Sequence, residues 1–297
     1  MIQTIRKLKE EKNALILAHY YAPLEVWELA DFIGDSLELS RKAAVAKEEL
    51  IVFCGVRFMA ESAKILNPAK KVILPVEDAG CPMADMITAE KLRELKKMHP
   101  EAAVICYVNS SAEVKAESDI CCTSSNAVKV AGSLPDKEII FVPDRNLGSH
   151  VAKHYPEKTF YFIEGFCPIH NACTAEDLKK AKENHPNALV AAHPECGPGT
   201  ADLADFVGST SGILDFCRKS EEKEFIIGTE LEIVLALQKE LPEKVFYPAK
   251  EDFLCKDMKK NTLKALKTGL QEEKYEIKLD RKTLTAAKRA LEKMIQL

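Results

Sequence analysis

Short apolar runs rich in β-branched residues recur along the chain, separated by stretches whose apolar positions fall at helical spacing. ALILAHYY (14–21), AVICYVN (103–109) and ALVAAHPE (188–195) superpose so that His19, Tyr107 and His193 coincide, at steps of 88 and then 86 residues. Two positions on, Tyr21, Asn109 and Glu195 coincide. LADFIGDSLELS (29–40), ESDICCTSSNAV (117–128) and LADFVGSTSGIL (203–214) follow in register, aligning Asp31 with Asp119 and Asp205, and Ser36 with Ser124 and Thr210. A further apolar run, IVFCG (51–55), IIFVP (139–143) or FIIGT (225–229), leads through a helical pattern to Pro68, Pro156 or Pro242. One more run (VILPV, FYFI, VFYPA) precedes a loop carrying Cys81, Cys167 or Cys255, and TAEKLRELKKMHP (88–100) is echoed by TAEDLKKAKENHP (174–186).

Self-similarity at this period predicts three like units, residues 1–84, 85–171 and 172–256, each running strand, helix, strand, helix, strand, cysteine loop, helix. Short β-branched strands alternating with amphipathic helices, such as the one implied by Val26, Leu29, Ala30 and Ile33, imply parallel strands with helical crossovers on both faces. The predicted class is therefore α/β: three α/β/α sandwiches with small parallel sheets, related by a pseudo-threefold axis, with the active site at their centre. Residues 257–297 read as a helical segment with Leu284, Leu291 and Ile295 on one stripe, packing back on the first unit.

Composition narrows the function. At 297 residues, 46% hydrophobic and a formal charge of −4, the chain has enough apolar content for several cores and no basic surface for nucleic acid. Charged runs such as Lys7–Lys12 and Glu221–Glu224 read as solvated faces. No apolar run approaches the ~18 residues of a membrane span, and the amino terminus lacks a secretory pattern, so a cytoplasmic location is expected. Ten cysteines in that setting are expected to be reduced. The absence of any C-x-x-C spacing argues against zinc ribbons, four-cysteine ferredoxins and thioredoxin-like sites.

In parallel sheets, functional groups gather beyond the carboxyl ends of the strands, where His19, Tyr21, Tyr107, Asn109, His193 and Glu195 are placed. Ser36, Ser124 and Thr210 each precede a helical pattern. They read either as N-caps or as hydroxyls at three converging helix termini that would attract an anion. Cys54, Cys106, Cys121 and Cys217 lie inside element patterns and read as buried small residues, whereas Cys173 and Cys196 are left open. Cys81, Cys167 and Cys255 repeat at loop positions. Three thiolates cannot close a structural zinc site, but they can hold a 4Fe-4S cluster with one iron left open as a Lewis acid.

The motifs HYY, GDS, AGCPMADM, YVN, TSSNA, GFCPIH, HPEC and GSTSG, in this order over nearly the whole length, resemble the quinolinate synthase family of NAD biosynthesis. The resemblance implies a triangle of three α/β/α domains with Cys81, Cys167 and Cys255 holding a central 4Fe-4S cluster. It implies the condensation of iminoaspartate with dihydroxyacetone phosphate to quinolinate, with loss of phosphate and two waters. Iminoaspartate would be bound by His19, Ser36, Tyr107, Val108, Asn109, Ser124, His193, Pro194, Glu195 and Thr210, and an aspartate oxidase or dehydrogenase would supply it. Some relatives carry a C-x-x-C-x-x-C third motif, of which EDFLCKDM keeps only Cys255. Tyr21, Tyr107, His193 and Glu195 are then the candidate proton carriers. Two readings from other classes are an iron-sulfur electron-transfer or carrier protein, which calls for four protein ligands and no convergent acid-base groups, and a sugar-phosphate-binding protein without a cluster.

Overall fold

The computed structural model describes all residues, 1–297, and builds the repeat from one unit used three times. The first unit contains α1 (Ile2–Glu11), β1 (Ala14–His19), α2 (Leu24–Trp27), β2 (Phe32–Gly34), α3 (Ser36–Ala44), β3 (Leu50–Cys54), α4 (Arg57–Leu66) and β4 (Lys71–Ile73). The second contains α5 (Ala89–Met98), β5 (Ala103–Tyr107), α6 (Ala112–Ala116), β6 (Ile120–Cys122), α7 (Ala127–Ser133), β7 (Glu138–Val142), α8 (Arg145–Ala152), β8 (Thr159–Phe162) and a short α9 (Pro168–Asn171). The third contains α10 (Ala175–Asn184), β9 (Leu189–Ala192), α11 (Pro198–Ala201), β10 (Phe206–Val207), α12 (Thr210–Lys219), β11 (Glu224–Gly228), α13 (Leu231–Glu240), β12 (Val245–Pro248) and α14 (Lys256–Lys259). Two helices, α15 (Leu263–Glu272) and α16 (Arg281–Gln296), complete the chain. Its sheets have the orders β2-β1-β3-β4, β6-β5-β7-β8 and β10-β9-β11-β12, and every strand pair is parallel. The chain is thus α/β, with three small parallel sheets flanked by helices.

Each sheet has four strands where the sequence pattern predicts three. The additional one is the two- or three-residue edge strand β2, β6 or β10, too short to show a period. An aspartate sets it. Asp31, Asp119 and Asp205 each accept the backbone N–H of the neighbouring strand, from Ile16, Val104 and Val190, all at 2.8 Å. That bond corrects the helix predicted through Val26, Leu29, Ala30 and Ile33. It stops at Trp27, because Asp31 draws the following residues into the ladder and leaves Ile33 on β2.

Lysines repeat in the same way. Two residues after the repeated prolines, Lys70, Lys158 and Lys244 cover the last carbonyls near the ends of α3, α7 and α12, an arrangement favoured by the negative end of the helix dipole. Lys70 reaches Ala46 O, Lys158 reaches Leu134 O and Asp136 O at 2.6 and 2.9 Å, and Lys244 reaches Cys217 O and Ser220 O at 2.6 Å each.

The largest apolar cluster joins 58 buried residues drawn from all three units, so the units pack as one body. The carboxy-terminal segment divides its contacts. Helix α15 lies on α1 and α2 of the first unit, and Tyr275–Ile277 runs along the edge of β4 through Leu74 N to Tyr275 O (3.2 Å) and Ile277 N to Val72 O (2.8 Å). Helix α16 goes elsewhere than the first unit alone, packing on α6 and β6 of the second unit as well as α4 of the first. Its apolar stripe thereby fills the seam between two units. No helix is long and apolar enough to cross a membrane.

Replacing Lys244 by methionine should keep the side chain's packing and strand the buried carbonyl of Cys217 and the half-buried one of Ser220, at a cost of about 1–3 kcal/mol. Urea unfolding of Lys244→Met against the parent protein checks this, and an unchanged midpoint would show the lysine to be incidental.

Candidate active site

Strands β1, β5 and β9 end at one central cavity of about 230 Å³, and the loops after β4, β8 and β12 bring Cys81, Cys167 and Cys255 to the same space. Of the residues singled out in the sequence, His19, Tyr21, Ser36, Tyr107, Asn109, Ser124, His193, Glu195, Thr210 and the three cysteines line it. Val108 and Pro194 do not. Both lie just past the ends of β5 and β9, where the chain turns and packs them against the protein. Val108 is buried behind the strand end with its N–H on Cys122 O at 2.9 Å, and Pro194 is likewise buried.

The polar groups form one network across unit boundaries. Tyr107 Oη donates to Glu195 Oε1 at 2.6 Å, and His170 Nδ1 lies 2.7 Å from Glu195 Oε2. The other ring nitrogen of His170 is 2.9 Å from Thr229 Oγ1. Tyr21 Oη shares bonds of 2.8 Å with both Thr210 Oγ1 and Thr229 Oγ1. His193 Nε2 meets Ser124 Oγ at 3.1 Å. His19 and His193 use Nδ1 to accept the N–H two residues on, from Tyr21 at 3.1 Å and Glu195 at 3.3 Å, which places each neutral ring's proton on Nε2, facing the cavity. Asn109 Oδ1 is buried and has no partner in the protein.

None of the three repeated hydroxyls is the N-cap of its helix. Asp35, Asn126 and Ser209 occupy the N-cap positions, so Ser36 and Thr210 stand at the first helical position and Ser124 just before α7. Asp35 caps α3 through Leu37 N and Glu38 N, both at 3.0 Å, while its second oxygen accepts from Ser125 Oγ at 2.5 Å and Ser211 Oγ at 2.6 Å. One carboxylate therefore ties the first unit to the other two. Among the lining residues Lys256 is the one lysine or arginine, so an anion here would rest mainly on hydroxyls and N–H groups.

Sequence reasoning did not assign roles to Asp35, His170, Thr229 or Glu230. The first two sit inside GDS and GFCPIH, where position in the motif was the available signal. Thr229 and Glu230 follow β11 and become visible only through their contacts.

Burial sets the protonation states. It lowers the pKa of His19 to about 4 and of His193 to about 3, against the opposing charge of nearby carboxylates, so both rings are neutral near pH 7. Tyr21 and Tyr107 are driven well above the usual tyrosine range by burial and then by the charge of Glu195. Burial also acts to raise Glu195, but His170 and the Tyr107 hydroxyl outweigh it and hold the carboxyl at about 2. Of the two rings, His170 makes the close contact with Glu195 Oε2, at 2.7 Å against 3.8 Å for His193.

Cys81, Cys167 and Cys255 are half-buried, while the other cysteines, Cys54, Cys106, Cys121, Cys122, Cys173, Cys196 and Cys217, are buried. Burial raises the thiols of Cys81 and Cys255 to about 12 and 11 and that of Cys167 well above the free value. Backbone N–H groups of Ala84 and Met83, of His170, and of Met258 and Asp257 point the other way, towards a thiolate. A soft metal centre would supply the missing positive charge, so the donor set fits one. The ligand atoms of Cys167, His170 and Glu195 also lie within 4.8 Å of one another, a closeness that the His170 hydrogen bonds to both account for.

Residues 3–296 match the model of the quinolinate synthetase A protein family. The chain belongs to this family. Curated relatives named quinolinate synthase include one from Caldicellulosiruptor bescii, 55% identical over 99% of this chain and 97% of its own, and one from Clostridium perfringens, 50% identical over the same shares. A protein of Methanosarcina acetivorans named quinolinate synthase 2 is 53% identical over 99% of this chain and 94% of its own.

In this quinolinate synthetase A family member the buried neutral histidines make stability depend on pH. Below about 6.5 the unfolded chain takes up a proton at His19, whereas the folded ring does so only near pH 4, so acid favours unfolding across that window. The unfolding free energy should therefore fall as pH is lowered from about 6.5 to about 4. Denaturant titrations at several pH values should show a shallower slope in His19→Asn, and an identical slope would mean that His19 is not protonated on unfolding.

Proposed function

We propose that the chain is a quinolinate synthase. It joins iminoaspartate to dihydroxyacetone phosphate, releasing phosphate and two waters, with a 4Fe-4S cluster held by Cys81, Cys167 and Cys255. The observation that carries this reading is the convergence, from three units, of three loop cysteines and a satisfied acid-base network on one cavity. An electron carrier has no need of that network. When bound, a cluster with three protein thiolates supplies one open iron, a Lewis acid for the hydroxyl lost in dehydration.

The chain's own residues account for the remaining chemistry. Ser36, Ser124 and Thr210 offer hydroxyls at helix ends for the carboxylates of iminoaspartate, and the Nε2–H groups of His19 and His193 add donors. Asn109 Oδ1, unpartnered in the protein, accepts from the substrate nitrogen. Binding in this way aims the enamine carbon of iminoaspartate at the triose carbon that loses phosphate. Glu195, ionised and fixed by Tyr107 and His170, is the base, and the protonated Tyr21 hydroxyl, fixed by Thr210 and Thr229, is the acid for isomerisation and ring closure. The buried walls formed by Val56, Phe58, Met59 and Met83 exclude water from the imine. An aspartate oxidase or dehydrogenase in the same cytoplasm would deliver this hydrolysable substrate.

Alanine at Cys81, Cys167 or Cys255 should abolish iron-sulfur absorption and quinolinate formation together, whereas alanine at Cys54 or Cys217 should spare both. Iron and sulfide counts on anaerobically isolated protein decide this, and an iron-free parent would remove the cluster from the reading. Glu195→Gln should keep the iron and the affinity for a dicarboxylate analogue while slowing turnover by ~10² or more. Single-turnover rates close to the parent's would take Glu195 out of the chemistry.

A further inference from the structure

Two residues past the end of β3, β7 and β11 the repeat places Val56, Asp144 and Glu230. The backbone there is the same three times over. The next residue's N–H donates to the carbonyl two residues before the cysteine, from Arg57 to Ala79 at 2.9 Å, from Arg145 to Gly165 at 2.8 Å and from Leu231 to Phe253 at 2.8 Å. The side chains break the symmetry. Asp144 Oδ1 accepts Leu147 N at 2.7 Å as the cap of α8, and its Oδ2 accepts Cys167 N at 3.1 Å. Glu230 Oε2 accepts Glu232 N at 2.8 Å as the cap of α13, and its Oε1 accepts Cys255 N at 3.1 Å. Val56 can do neither. The Cys81 loop is instead steadied from the third unit, with Gly80 N donating to Asp257 Oδ1 at 3.3 Å.

A charge is not required to cap a helix, since Thr88, Thr174 and Ser209 cap α5, α10 and α12 with hydroxyls. Asp144 and Glu230 are both 0% exposed, where an ionised carboxylate is costly without compensation. Glu230 has Lys259 at 2.9 Å, and the same ammonium donates to Tyr21 O at 2.8 Å. Asp144 has no such cation: its oxygens meet backbone N–H donors, while burial and the nearby charge of Glu195 push its pKa well above the usual carboxylate range. The second carboxylate oxygen is what a hydroxyl cap lacks, and in both units that oxygen is on the cysteine.

We propose that Asp144 and Glu230 are positioning residues that lock Cys167 and Cys255 in the orientation that holds the cluster, leaving Cys81 as the one ligand without a carboxylate anchor. This rests on the cluster reading above. Each anchor fixes its cysteine's backbone against the end of a core strand, so the thiolate does not have to be ordered by the metal.

Asp144→Asn and Glu230→Gln test the proposal in anaerobically isolated holoprotein. An amide offers one acceptor oxygen, so its NH₂ must face one of the two N–H donors. Iron release to a strong chelator should be about 10- to 100-fold faster in both variants. The electron paramagnetic resonance signal of the reduced cluster should change shape in both variants, because one cysteine is no longer held from its backbone. Asp144→Glu and Glu230→Asp, which keep two acceptor oxygens, should bring the release rate and the signal back towards those of the parent. Release at the parent rate with an unchanged signal would overturn the proposal. So would a lowered melting temperature of the metal-free protein with no change in release rate or signal, since that is the mark of a helix cap alone. If Asp144→Asn does not fold, Glu230→Gln carries the same readouts. Parent protein isolated without iron would overturn the cluster reading and this proposal with it.

Discussion

Buried polar groups at the strand ends of each unit find their partners on the other units, and this requirement shapes the molecule. Tyr107 of the second unit needs Glu195 of the third, and Tyr21 of the first needs Thr210 and Thr229 of the third. His193 of the third needs Ser124 of the second, and Asp35 of the first takes Ser125 and Ser211 from the others. Each such group left alone in the interior costs about 1–3 kcal/mol. A unit separated from its neighbours would expose several at once, along with its share of a common apolar cluster. Packing of the three units and formation of the cavity therefore go together.

Closure also assigns the chemistry. Withdrawing the strand ends from water makes His19 and His193 neutral donors and keeps Tyr21 and Tyr107 protonated, because the charged form is the one penalised by burial. Glu195 escapes the same fate because His170 and Tyr107 bind both its oxygens. Acids and a base thus stand within hydrogen-bonding distance in one desolvated space. The thiols of Cys81, Cys167 and Cys255 are raised by the same burial, and nearby N–H groups oppose that without overcoming it.

A threefold repeat supplies three copies of every position, yet a single reaction at its centre needs different groups in each. Backbone bonds around the cysteine loops keep the repeat, while side chains depart from it. His19, Tyr107 and His193 share one position, as do Tyr21, Asn109 and Glu195, and as do Val56, Asp144 and Glu230. The first unit's apolar Val56 lines the cavity beside Phe58 and Met59, where the third unit presents Glu230.

The sequence by itself determined the repeat, the parallel α/β class, the cysteine set and the aligned strand-end residues, because strand burial and helix amphipathicity repeat at fixed residue spacing. It did not reveal β2, β6 and β10, since two or three residues carry no period. It did not distinguish the capping Asp35 and Ser209 from Ser36 and Thr210 one residue later, because that depends on dihedral angles at a helix start. Val108 and Pro194 lie between cavity-lining neighbours in sequence, and only the folded turns after β5 and β9 bury them away from the cavity. The division of the carboxy-terminal segment, with α16 across two units, was set by which seam remained to be filled. The network through His170 and Thr229, and the anchoring of Cys167 and Cys255 by Asp144 and Glu230, were likewise decided by tertiary structure. Hydrogen bonds between groups 20 or more residues apart depend on where the sheets come to rest, and no local pattern encodes that placement.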